Sequence, residues 1–414
     1  MSVQRKPRVL IVIENLPYPW HPRVSLEAAA LRDAGYGVSV IAPMGEQRMN
    51  LPYERIDGID VYRFSLPATS DGFGGYFTEY ALAVWHIARL ALKVWRREGF
   101  DVFQVGNPPD LFFPLGIFFK MLGKSFVFDQ HDLTPETFVI RYGPVRGVRS
   151  LLHRLLEACE WLTYRAADAV LTPNESFRDK AINRGGVDPR RVFVVRNGPN
   201  QQRLRPVPPE PKLKRGRPYL ACYVGMIHRQ DGAEGALRAA DWIVNHEGRR
   251  DITFAFLGKG DDVPRLKQLA LELRLDDFVT FTGWVEGEEV VQYLCTADVG
   301  LSPEPQNGMN EYLTMIKVLE YMGLALPVVA FDLKETRFSA QDAAVYASPN
   351  DFVDFGRLIL ELLDDPEKRG RIGRRGRERM LEGGLTWDHS RQVLLGAYES
   401  VLAGRFGNVQ VGAS

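Results

Sequence analysis

The chain has few cysteines, no net charge and no long apolar run. Its three cysteines, Cys159, Cys222 and Cys295, lie far apart, which excludes a disulfide framework and the ligand spacing of a zinc site. Lys and Arg together number 52, as do Asp and Glu, so the composition is not that of a general nucleic-acid-binding protein. We expect a cytoplasmic protein whose cysteines are small buried apolar residues.

Long apolar segments are also missing from the sequence. No window reaches the roughly eighteen uncharged apolar residues that a membrane-spanning helix requires. The nearest candidate, residues 76–100, carries Glu79, Arg89 and Lys93 within it. The apolar run near the N-terminus stops at Glu14 after a few residues, so we expect neither a membrane span nor a secretory signal.

What the sequence does contain is an alternation of short apolar strands with longer helical patterns. This alternation is typical of parallel sheets covered by helices. A segment with five prolines, residues 203–218, interrupts it once. The predicted strands before the interruption are residues 8–14, 37–43, 101–106, 125–132, 169–174 and 191–197. The predicted strands after it are residues 219–225, 252–258, 278–283, 299–303, 327–332 and 343–348.

The alternation divides the chain into two α/β domains. We predict a doubly wound, Rossmann-like domain at residues 1–202 and a second one at 219–386, joined by a linker at 203–218. A final helical pattern at 387–406 follows the last strand. We expect residues 387–414 to pack back on the first domain.

The residues that follow each strand are the candidates for a site, because ligands of open parallel sheets bind at the carboxyl ends of the strands. In the first half, Arg23 lies in the first turn of a helix, where its charge opposes the helix dipole. Either an anion compensates this charge or the side chain is solvated. Further polar residues expected in a cleft between the domains are Asn15, Asn107, Asn174 and Asn197.

A histidine, His131, stands between Asp129 and Asp132 after the fourth predicted strand. A histidine among carboxylates can be a general base, a hydrogen-bond donor in a cleft or a buried structural residue. A metal site is not indicated, because no second histidine or cysteine is nearby.

The second half begins with a strand, then Gly225, a turn with Arg229 and a helix predicted to begin near Asp231. Backbone N–H groups at such a helix start bind phosphates, and an arginine adds positive charge. The G-x-G-x-x-G and P-loop fingerprints are both absent, which argues against a dinucleotide-binding fingerprint and a plain ATPase.

Lys317 and Glu320 are two charges on an otherwise apolar helix, predicted to begin near Leu313. They are three residues apart and therefore share one helix face near its N-terminal end. Main-chain N–H groups there can hold a diphosphate, Lys317 can neutralise it, and Glu320 can accept from ribose hydroxyls. The alternative is an internal Lys–Glu pair on a solvated face, but the surrounding sequence predicts a nearly buried helix.

The segment K-x-x-E-Y-M-G-x-x-x-P-V-V-A-F-D, residues 317–332, resembles the donor-binding signature of the retaining GT-B glycosyltransferases. The motifs YVGMIHRQDG, FLGKGDD, VTFTGWV, TADVGLSP, NPPDLFF, FDQHD and RNGPN occur in the order found in that family. The resemblance covers nearly the whole chain and looks closest to the branch that builds bacterial surface polysaccharides. It implies a GT-B architecture, with two Rossmann-like domains facing across a deep cleft and a C-terminal helix crossing back to the N-terminal domain.

The resemblance also implies an activity, which is the transfer of a sugar from a nucleoside diphosphate sugar with retention of configuration and without a metal or other cofactor. Glu320 would hold the ribose, Arg229 and Lys317 would stabilise the leaving diphosphate, and His131 would hydrogen-bond the donor sugar. The other residues implied in donor binding are Gly225, Gln230, Asp231, Gly258, Asn310, Glu311, Thr314 and Met315.

The sequence departs from the family pattern at two positions. Tyr312 stands where many members have an acidic residue, and either Glu311 or Asn310 is expected to substitute for it. The lysine that usually accompanies Arg229 is missing, and Lys317 is expected to take its role.

The first half also carries two basic and apolar stretches, at residues 76–98 and 140–155. Together they suggest a peripheral enzyme at the inner face of the cell membrane, although a core helix with an exposed basic edge is the preferred explanation of the first stretch taken alone. We expect a UDP-sugar donor, with GDP-mannose as an alternative, and a glycan or polyprenyl-diphosphate-linked acceptor. Two other functions stay open, a nucleotide-sugar 2-epimerase of the same fold and a non-catalytic nucleotide-sugar-binding protein.

Overall fold

The chain folds into two compact α/β units, residues 1–195 with 391–414, and residues 196–390. The structure is a computed structural model, and it describes residues 6–45, 50–65, 73–143, 145–201 and 204–406, except for the side chains of 73–79 and 404–406. We refer to the first unit as the N-unit and to the second as the C-unit. The predicted pair of doubly wound domains is confirmed.

The N-unit is built on one sheet, in which the described residues contribute eight strands. The strands are Arg8–Val12 (β1), Gly37–Pro43 (β2), Tyr53–Ile56 (β3), Ile59–Phe64 (β4), Val102–Gly106 (β5), Ser125–Asp129 (β6), Ala169–Thr172 (β7) and Val192–Val194 (β8). Their order in the sheet is β3-β4-β2-β1-β5-β6-β7-β8. The central strands are buried along their length, as expected for a parallel sheet with helices on both faces.

Among the described residues of the N-unit, six helices connect these strands, and a seventh enters the unit from the end of the chain. They are Pro22–Asp33 (α1), Phe73–Arg97 (α2), Phe113–Met121 (α3), Thr134–Tyr142 (α4), Val148–Ala166 (α5) and Glu175–Asn183 (α6). The apolar face of α2 packs through Ile87, Leu90 and Val94 into a core with Phe103 and Phe119.

The pair β3–β4 is an antiparallel hairpin at the edge of an otherwise parallel arrangement, and the sequence analysis missed both strands. Its turn, Asp57–Gly58, has positive φ at both residues, 49° and 84°. Asp-Gly is the composition that such a two-residue turn requires, so the dipeptide was the available signal. The residues of β3 alternate between exposed and partly buried, so this strand has no continuous apolar run.

The C-unit is built on a second sheet, parallel throughout its described strands. The strands are Tyr219–Val224 (β9), Ile252–Leu257 (β10), Val279–Gly283 (β11), Val299–Ser302 (β12), Val328–Phe331 (β13) and Ala344–Ala347 (β14), in the order β11-β10-β9-β12-β13-β14. The helices are Ala233–Asp241 (α7), Val263–Glu272 (α8), Glu288–Thr296 (α9), Ile316–Gly323 (α10), Lys334–Ala340 (α11), Phe352–Asp364 (α12) and Pro366–Glu382 (α13). Each of the predicted strands of this half is present, with ends that differ by a residue or so.

The last helix, Trp387–Phe406 (α14), has the predicted bounds, and its residues from Arg391 onward belong to the N-unit. There the Tyr398 hydroxyl donates to Gln104 Oε1, and Ser125 Oγ donates to the carbonyl of Val401 at 3.2 Å. The prediction that the C-terminal helix returns to the first domain is therefore confirmed.

The described part of the proline-rich segment, residues 204–218, is tied to the C-unit. The backbone N–H of Glu210 donates to Thr296 Oγ1 at 2.9 Å, and Lys214 pairs with Asp298 at 2.8 Å. Among the helices that the structure describes, none combines the length and the apolar character needed to cross a bilayer.

Candidate active site

Two glycines allow the ends of β9 and β10 to approach each other closely. At Gly258, with φ of 146°, an added Cβ would lie 1.8 Å from the carbonyl oxygen of Gly225, so a side chain is sterically excluded. At Gly225, with φ of 143°, a Cβ would lie 3.1 Å from Lys317 Cε. The predicted residues Gly225 and Lys317 are therefore neighbours at the carboxyl end of the sheet.

Lys317 forms a buried ion pair with Glu304, a residue that the sequence analysis did not select. Lys317 Nζ lies 2.5 Å from Glu304 Oε1, and the two side chains are 12% and 4% exposed. Glu304 Oε2 accepts from the Ser302 hydroxyl, and Lys317 Nζ lies 4.1 Å from the centre of the Tyr223 ring. Burial lowers the pKa of Lys317, but Glu304 and Tyr223 outweigh this effect and raise it, so the amine is charged.

The sequence contained a signal for Glu304, namely its position at the carboxyl end of a strand. It follows β12 after a single proline, Pro303, and so occupies a strand end. The alternative of a solvated Lys317–Glu320 pair is wrong, because Lys317 is largely buried and forms its ion pair with Glu304.

Glu320 lies on the same helix as Lys317 but keeps its carboxylate free of donors within the described residues. Helix α10 begins at Ile316 rather than near Leu313, which places Lys317 in its first turn and Glu320 in its second. Burial raises the pKa of Glu320 to about 7, and the nearby Lys317 offsets only part of this increase. A partly buried carboxyl without a hydrogen bond is costly, which indicates a position that awaits a donor.

The loop before α10 is held by its own polar side chains. Asn310 donates through Nδ2 to the carbonyl oxygens of Gln230, at 3.2 Å, and Pro305, at 2.9 Å. Glu311 accepts from the backbone N–H of Lys334 at 2.9 Å, at the start of α11. Both residues thus have structural contacts, and the acid that meets Lys317 is Glu304.

The remaining residues of this loop lie where α10 starts. Tyr312, at the position of the missing acid, has its ring 5.8 Å from Lys334 Nζ. Thr314 is partly buried, and Met315 is the buried residue that immediately precedes α10.

The turn that contains Arg229 forms the other side of this group. Residues Arg229–Asp231 make a short 3-10 turn, and α7 begins after it at Ala233 rather than near Asp231. The Asp231 carboxylate accepts from the backbone N–H of His228 at 2.9 Å, and burial raises its pKa. The side chain of Arg229 is 80% exposed, with Nε 4.0 Å from Asp262 Oδ1. Gln230 is exposed as well.

In the N-unit, His131 is part of a buried polar network. His131 Nε2 lies 2.6 Å from Asp129 Oδ2, and Arg23 Nη2 lies 2.6 Å from Asp129 Oδ1. Arg23 also pairs with Glu27 at 3.1 Å, and Gln104 Nε2 donates to Glu27 Oε2 at 2.7 Å. The anion expected opposite Arg23 is therefore supplied by the protein, and the alternative of a solvated arginine is wrong.

The charges of this network follow from burial and from Arg23. Burial opposes ionisation of Asp129, but Arg23 and His131 outweigh it and hold the pKa of Asp129 below its usual range. Burial and the charge of Asp129 raise the pKa of Glu27 well above its usual value. Arg23 and His131 therefore favour the ionised form of Asp129, whereas burial and Asp129 disfavour ionisation of Glu27.

The ionised Asp129 orients the ring of His131. Because Asp129 accepts at Nε2, the proton of a neutral ring is on that nitrogen and Nδ1 is left as an acceptor. Nδ1 is buried and has no hydrogen-bond partner among the described residues. Burial, followed by the proximity of His131, lowers the pKa of the adjacent His21 to about 3.

The four asparagines predicted in the cleft have different environments. Asn107 is buried, and its Oδ1 accepts from the backbone N–H of His131 at 2.6 Å and of Asp132 at 3.1 Å. Asn174 is buried and caps α6. Asn15 is exposed, and Asn197 is a partly buried residue of the C-unit. Asn107 thus positions the backbone that carries His131.

The cysteines and acidic residues add no metal centre to this arrangement. Cys159, Cys222 and Cys295 are all free; the first two are buried, as predicted, whereas Cys295 is only partly buried, so the prediction is wrong for that residue. Within the described ranges, no three His, Cys, Asp or Glu side chains converge in a way that could hold a metal ion.

Comparison with known proteins bears on this site. A model of the Glycosyl transferase 4-like domain matches residues 21–198, and a model of the Glycosyl transferases group 1 family matches residues 218–365. The two matches follow each other along the chain and together cover most of it. The chain belongs to the GT-B glycosyltransferases. The predicted family is confirmed at this level.

Individual proteins agree with this assignment. The glycosyltransferase is 26% identical over 333 residues to the 2-deoxystreptamine glucosyltransferase of Streptomyces kanamyceticus, covering 77% of this chain and 82% of that protein. Its fold is similar to that of sucrose-phosphate synthase from Thermosynechococcus elongatus, with a TM-score of 0.76 at 18% identity, covering 97% and 100% of the two chains. It is also similar to Anabaena HepE in complex with UDP, with a TM-score of 0.68 at 14% identity, covering 95% and 100%.

Proposed function

We propose that this glycosyltransferase moves a hexosyl group from a nucleoside diphosphate sugar, preferably a UDP-sugar, to a glycan or a lipid-linked glycan, with retention of configuration. The observation that carries the proposal is the arrangement of Lys317, charged and buried, beside Glu320, whose carboxyl has no donor among the residues that the structure describes. The charged Lys317 can neutralise a diphosphate, and the carboxyl of Glu320 can accept hydrogen bonds from the two hydroxyls of a ribose. The UDP bound to HepE supports the choice of base, and GDP-mannose is the second candidate.

The chemistry that we propose depends on stabilising the leaving group. As the bond between the sugar C1 and the diphosphate oxygen breaks, negative charge grows on the β-phosphate. Lys317, the exposed Arg229 and the first N–H groups of α10 are fixed positive groups suited to this charge. The acceptor oxygen forms the new bond to C1, and its proton goes to the leaving phosphate, so neither a metal nor an enzymic nucleophile is required.

His131 has a supporting role in this proposal. With its proton directed at Asp129, its Nδ1 is suited to accept from a hydroxyl of the transferred sugar. Asp129 and Asn107 act as positioning residues, because they hold the ring and the backbone of His131 respectively.

We further propose that the protein works in bacterial surface polysaccharide synthesis, at the cytoplasmic face of an anionic membrane. The exposed face of α2 carries Trp85, Arg89, Lys93 and Arg96, and its opposite face is buried. Arg89 lies 5.5 Å from the centre of the Trp85 ring. A tryptophan among cations is the composition of an interfacial helix. The side chains of 76–79, which belong to the predicted stretch, lie outside the described residues.

Nucleotide binding tests the donor assignment. With UDP, GDP, ADP and their sugars in turn, we expect one nucleotide at about 100 times its Kd to stabilise the protein by roughly 2.7 kcal/mol. The shift in Tm should disappear in Glu320→Ala and persist in Glu272→Ala, which removes an exposed carboxylate from α8 of the same unit. The absence of any shift with the unmodified protein at millimolar nucleotide would contradict the proposal.

The protonation of Glu320 predicts a pH dependence for donor binding. Its pKa of about 7 means that the carboxyl is largely protonated at pH 6 and ionised at pH 8. Because the ionised form accepts from both ribose hydroxyls, the affinity for the sugar nucleotide should rise about tenfold from pH 6 to pH 8. Calorimetric titration with UDP-glucose measures the affinity at each pH. This ligand is chosen because its diphosphate is esterified at both ends and so does not itself titrate between pH 6 and pH 8. In Glu320→Gln the affinity should not change between pH 6 and pH 8. An equal pH dependence in both proteins would refute the assignment of Glu320 to the ribose.

Turnover separates the proposed activity from the two other functions of this fold. A 2-epimerase would convert the donor sugar in the absence of any acceptor, and a binding protein would retain the nucleotide shift without turnover. A transferase releases the nucleoside diphosphate only as the sugar moves to an acceptor or, slowly, to water.

A further inference from the structure

The N-unit contains an apolar groove between α4 and α5. Its walls include Phe138 of α4 and Leu152, Leu155 and Leu156 of α5, with Pro109 from the loop after β5. Its cavity volume is about 180 Å³, which is below the roughly 300–1,000 Å³ of sites that enclose a whole drug-sized ligand and suits part of a hydrocarbon chain. Carbon atoms form nearly all of its accessible surface.

The groove reaches the loop that carries His131. Asp110 and Asp132 are among its lining residues. Asn107 connects both to the histidine, because its Nδ2 donates to Asp110 at 3.0 Å and its Oδ1 accepts from the N–H groups of His131 and Asp132. One oxygen of Asp110 is buried without a hydrogen-bond partner in the described part of the chain. A ligand in the groove would therefore have one polar end beside the loop of His131.

The surface around the groove is both apolar and basic. Val148 is 76% exposed, Leu151 is 70% exposed and Leu155 is 54% exposed, which is unusual for side chains of this size on one helix face. Residues 140–155 carry Arg141, Arg146, Arg149 and Arg154 and no acidic residue. Arg141 itself lines the groove. This charge complements an anionic ligand, and the carbon-lined interior complements a hydrocarbon chain.

We propose that the groove binds the hydrocarbon chain of a lipid-phosphate acceptor. Arg141 contacts its phosphate, and the hydroxyl-bearing head extends past Asp132 to the loop of His131. The inference rests on the proposed transferase function, for which it names the class of acceptor. The groove favours a lipid over a protein partner, because a carbon-lined space with Arg141 among its lining residues matches a single amphiphile with a phosphate head.

Binding of farnesyl phosphate, below its micelle concentration, tests the groove by calorimetric titration. We expect saturable binding with a negative heat-capacity change, as burial of an apolar chain requires. Leu155→Glu places a carboxylate in the groove and should weaken binding at least about tenfold. Leu151→Glu adds the same charge one turn away, outside the lining residues, and should change the Kd by less than about twofold.

Two further titrations distinguish the contribution of the hydrocarbon chain of the ligand from that of its phosphate. Farnesol should bind the unmodified protein and Arg141→Ala equally, whereas farnesyl phosphate should bind Arg141→Ala more weakly. Inorganic phosphate alone should not bind measurably. Equal losses of affinity in Leu155→Glu and Leu151→Glu would show that the ligand adsorbs to the exposed surface, and would overturn the proposal that the groove binds it. Absence of farnesyl phosphate binding would overturn it as well.

The outcome is independent of the donor site. Both leucines are substantially exposed, so the variants should unfold at nearly the unmodified Tm, and Leu155→Ser provides a neutral replacement if the charged variant does not fold. UDP stabilisation that persists while the lipid fails to bind would reject the lipid acceptor and leave the transferase proposal intact. Loss of both would reject the two together.

Discussion

Replacing Lys317 with methionine is expected to lower kcat by about 100- to 1000-fold, the usual loss when one fixed group is removed from a site of developing negative charge. The amine is held by Glu304 at 2.5 Å and by the face of Tyr223, so it is positioned before the donor binds. Methionine retains the length and apolar contacts of the stem and removes only the charge. The rate of nucleoside diphosphate release in a single turnover measures the effect.

The same substitution should also destabilise the C-unit. Glu304 would be left as a buried carboxylate without its cation, and breaking such a pair typically costs about 3–5 kcal/mol. The double variant Lys317→Met with Glu304→Gln removes that uncompensated charge, so it should recover much of the stability and none of the activity. If the double variant regains turnover, or Lys317→Met alone stays within tenfold of the unmodified rate, the proposed role of Lys317 is wrong.

Replacing Arg23 with methionine is expected to destabilise the N-unit by about 3–5 kcal/mol, because it leaves Asp129 ionised and buried. Arg23 contacts both Asp129 and Glu27, and its Nη1 donates to the carbonyl of Val195 at 2.5 Å. One substitution therefore removes contacts to α1, β6 and the end of β8. Hydrogen exchange monitored peptide by peptide measures the loss of protection in these elements.

A matched control lies on the same helix. Arg32 in the last turn of α1 pairs with Asp33 on the surface, and surface ion pairs contribute about 0–1 kcal/mol. Arg32→Met should therefore leave exchange in β6 unchanged. A similar effect of the two substitutions would mean that the buried network has no special contribution to stability.

The Arg23 effect should depend on pH in a defined direction. The pKa of Asp129 in the native state is below its usual value, so its stabilising contribution is present above the unfolded pKa, about 3.9, and is lost as the pH falls through the native value. The difference in the free energy of unfolding between the unmodified protein and Arg23→Met should thus have its maximum value at pH 7 and should decrease below about pH 4. A difference that grows on acidification would contradict the assigned charge of Asp129.

Much of the fold could be predicted because strand patterns are local. The run GVSVIAP is apolar except for Ser39, which identifies a strand buried on both faces, and the structure has this strand at Gly37–Pro43. The hairpin at 53–64 was missed because one of its strands is exposed and alternates. The positions of Gly225, Lys317 and Glu320 were predicted for the same local reason, since each follows a strand or shares a helix face.

The partners of the buried charged and polar residues could not be predicted from the local sequence pattern. Glu304 meets Lys317 across 13 residues, Asp129 meets Arg23 across 106 residues, and Gln104 meets Tyr398 across 294 residues. A pattern of polarity says that a buried charge needs a partner, but it does not say which one. Sheet order and helix placement decide that.

The sequence by itself determined the two α/β units, the family and the strand ends that carry the polar side chains, because periodicity and motif spacing are written along the chain. Only the tertiary structure decided that Glu304 neutralises Lys317, that Arg23 is committed to Asp129 and Glu27, and that Glu320 remains without a donor in the described residues. Electrostatic partners depend on distance in space, and folding brings together charges that lie in distant parts of the chain.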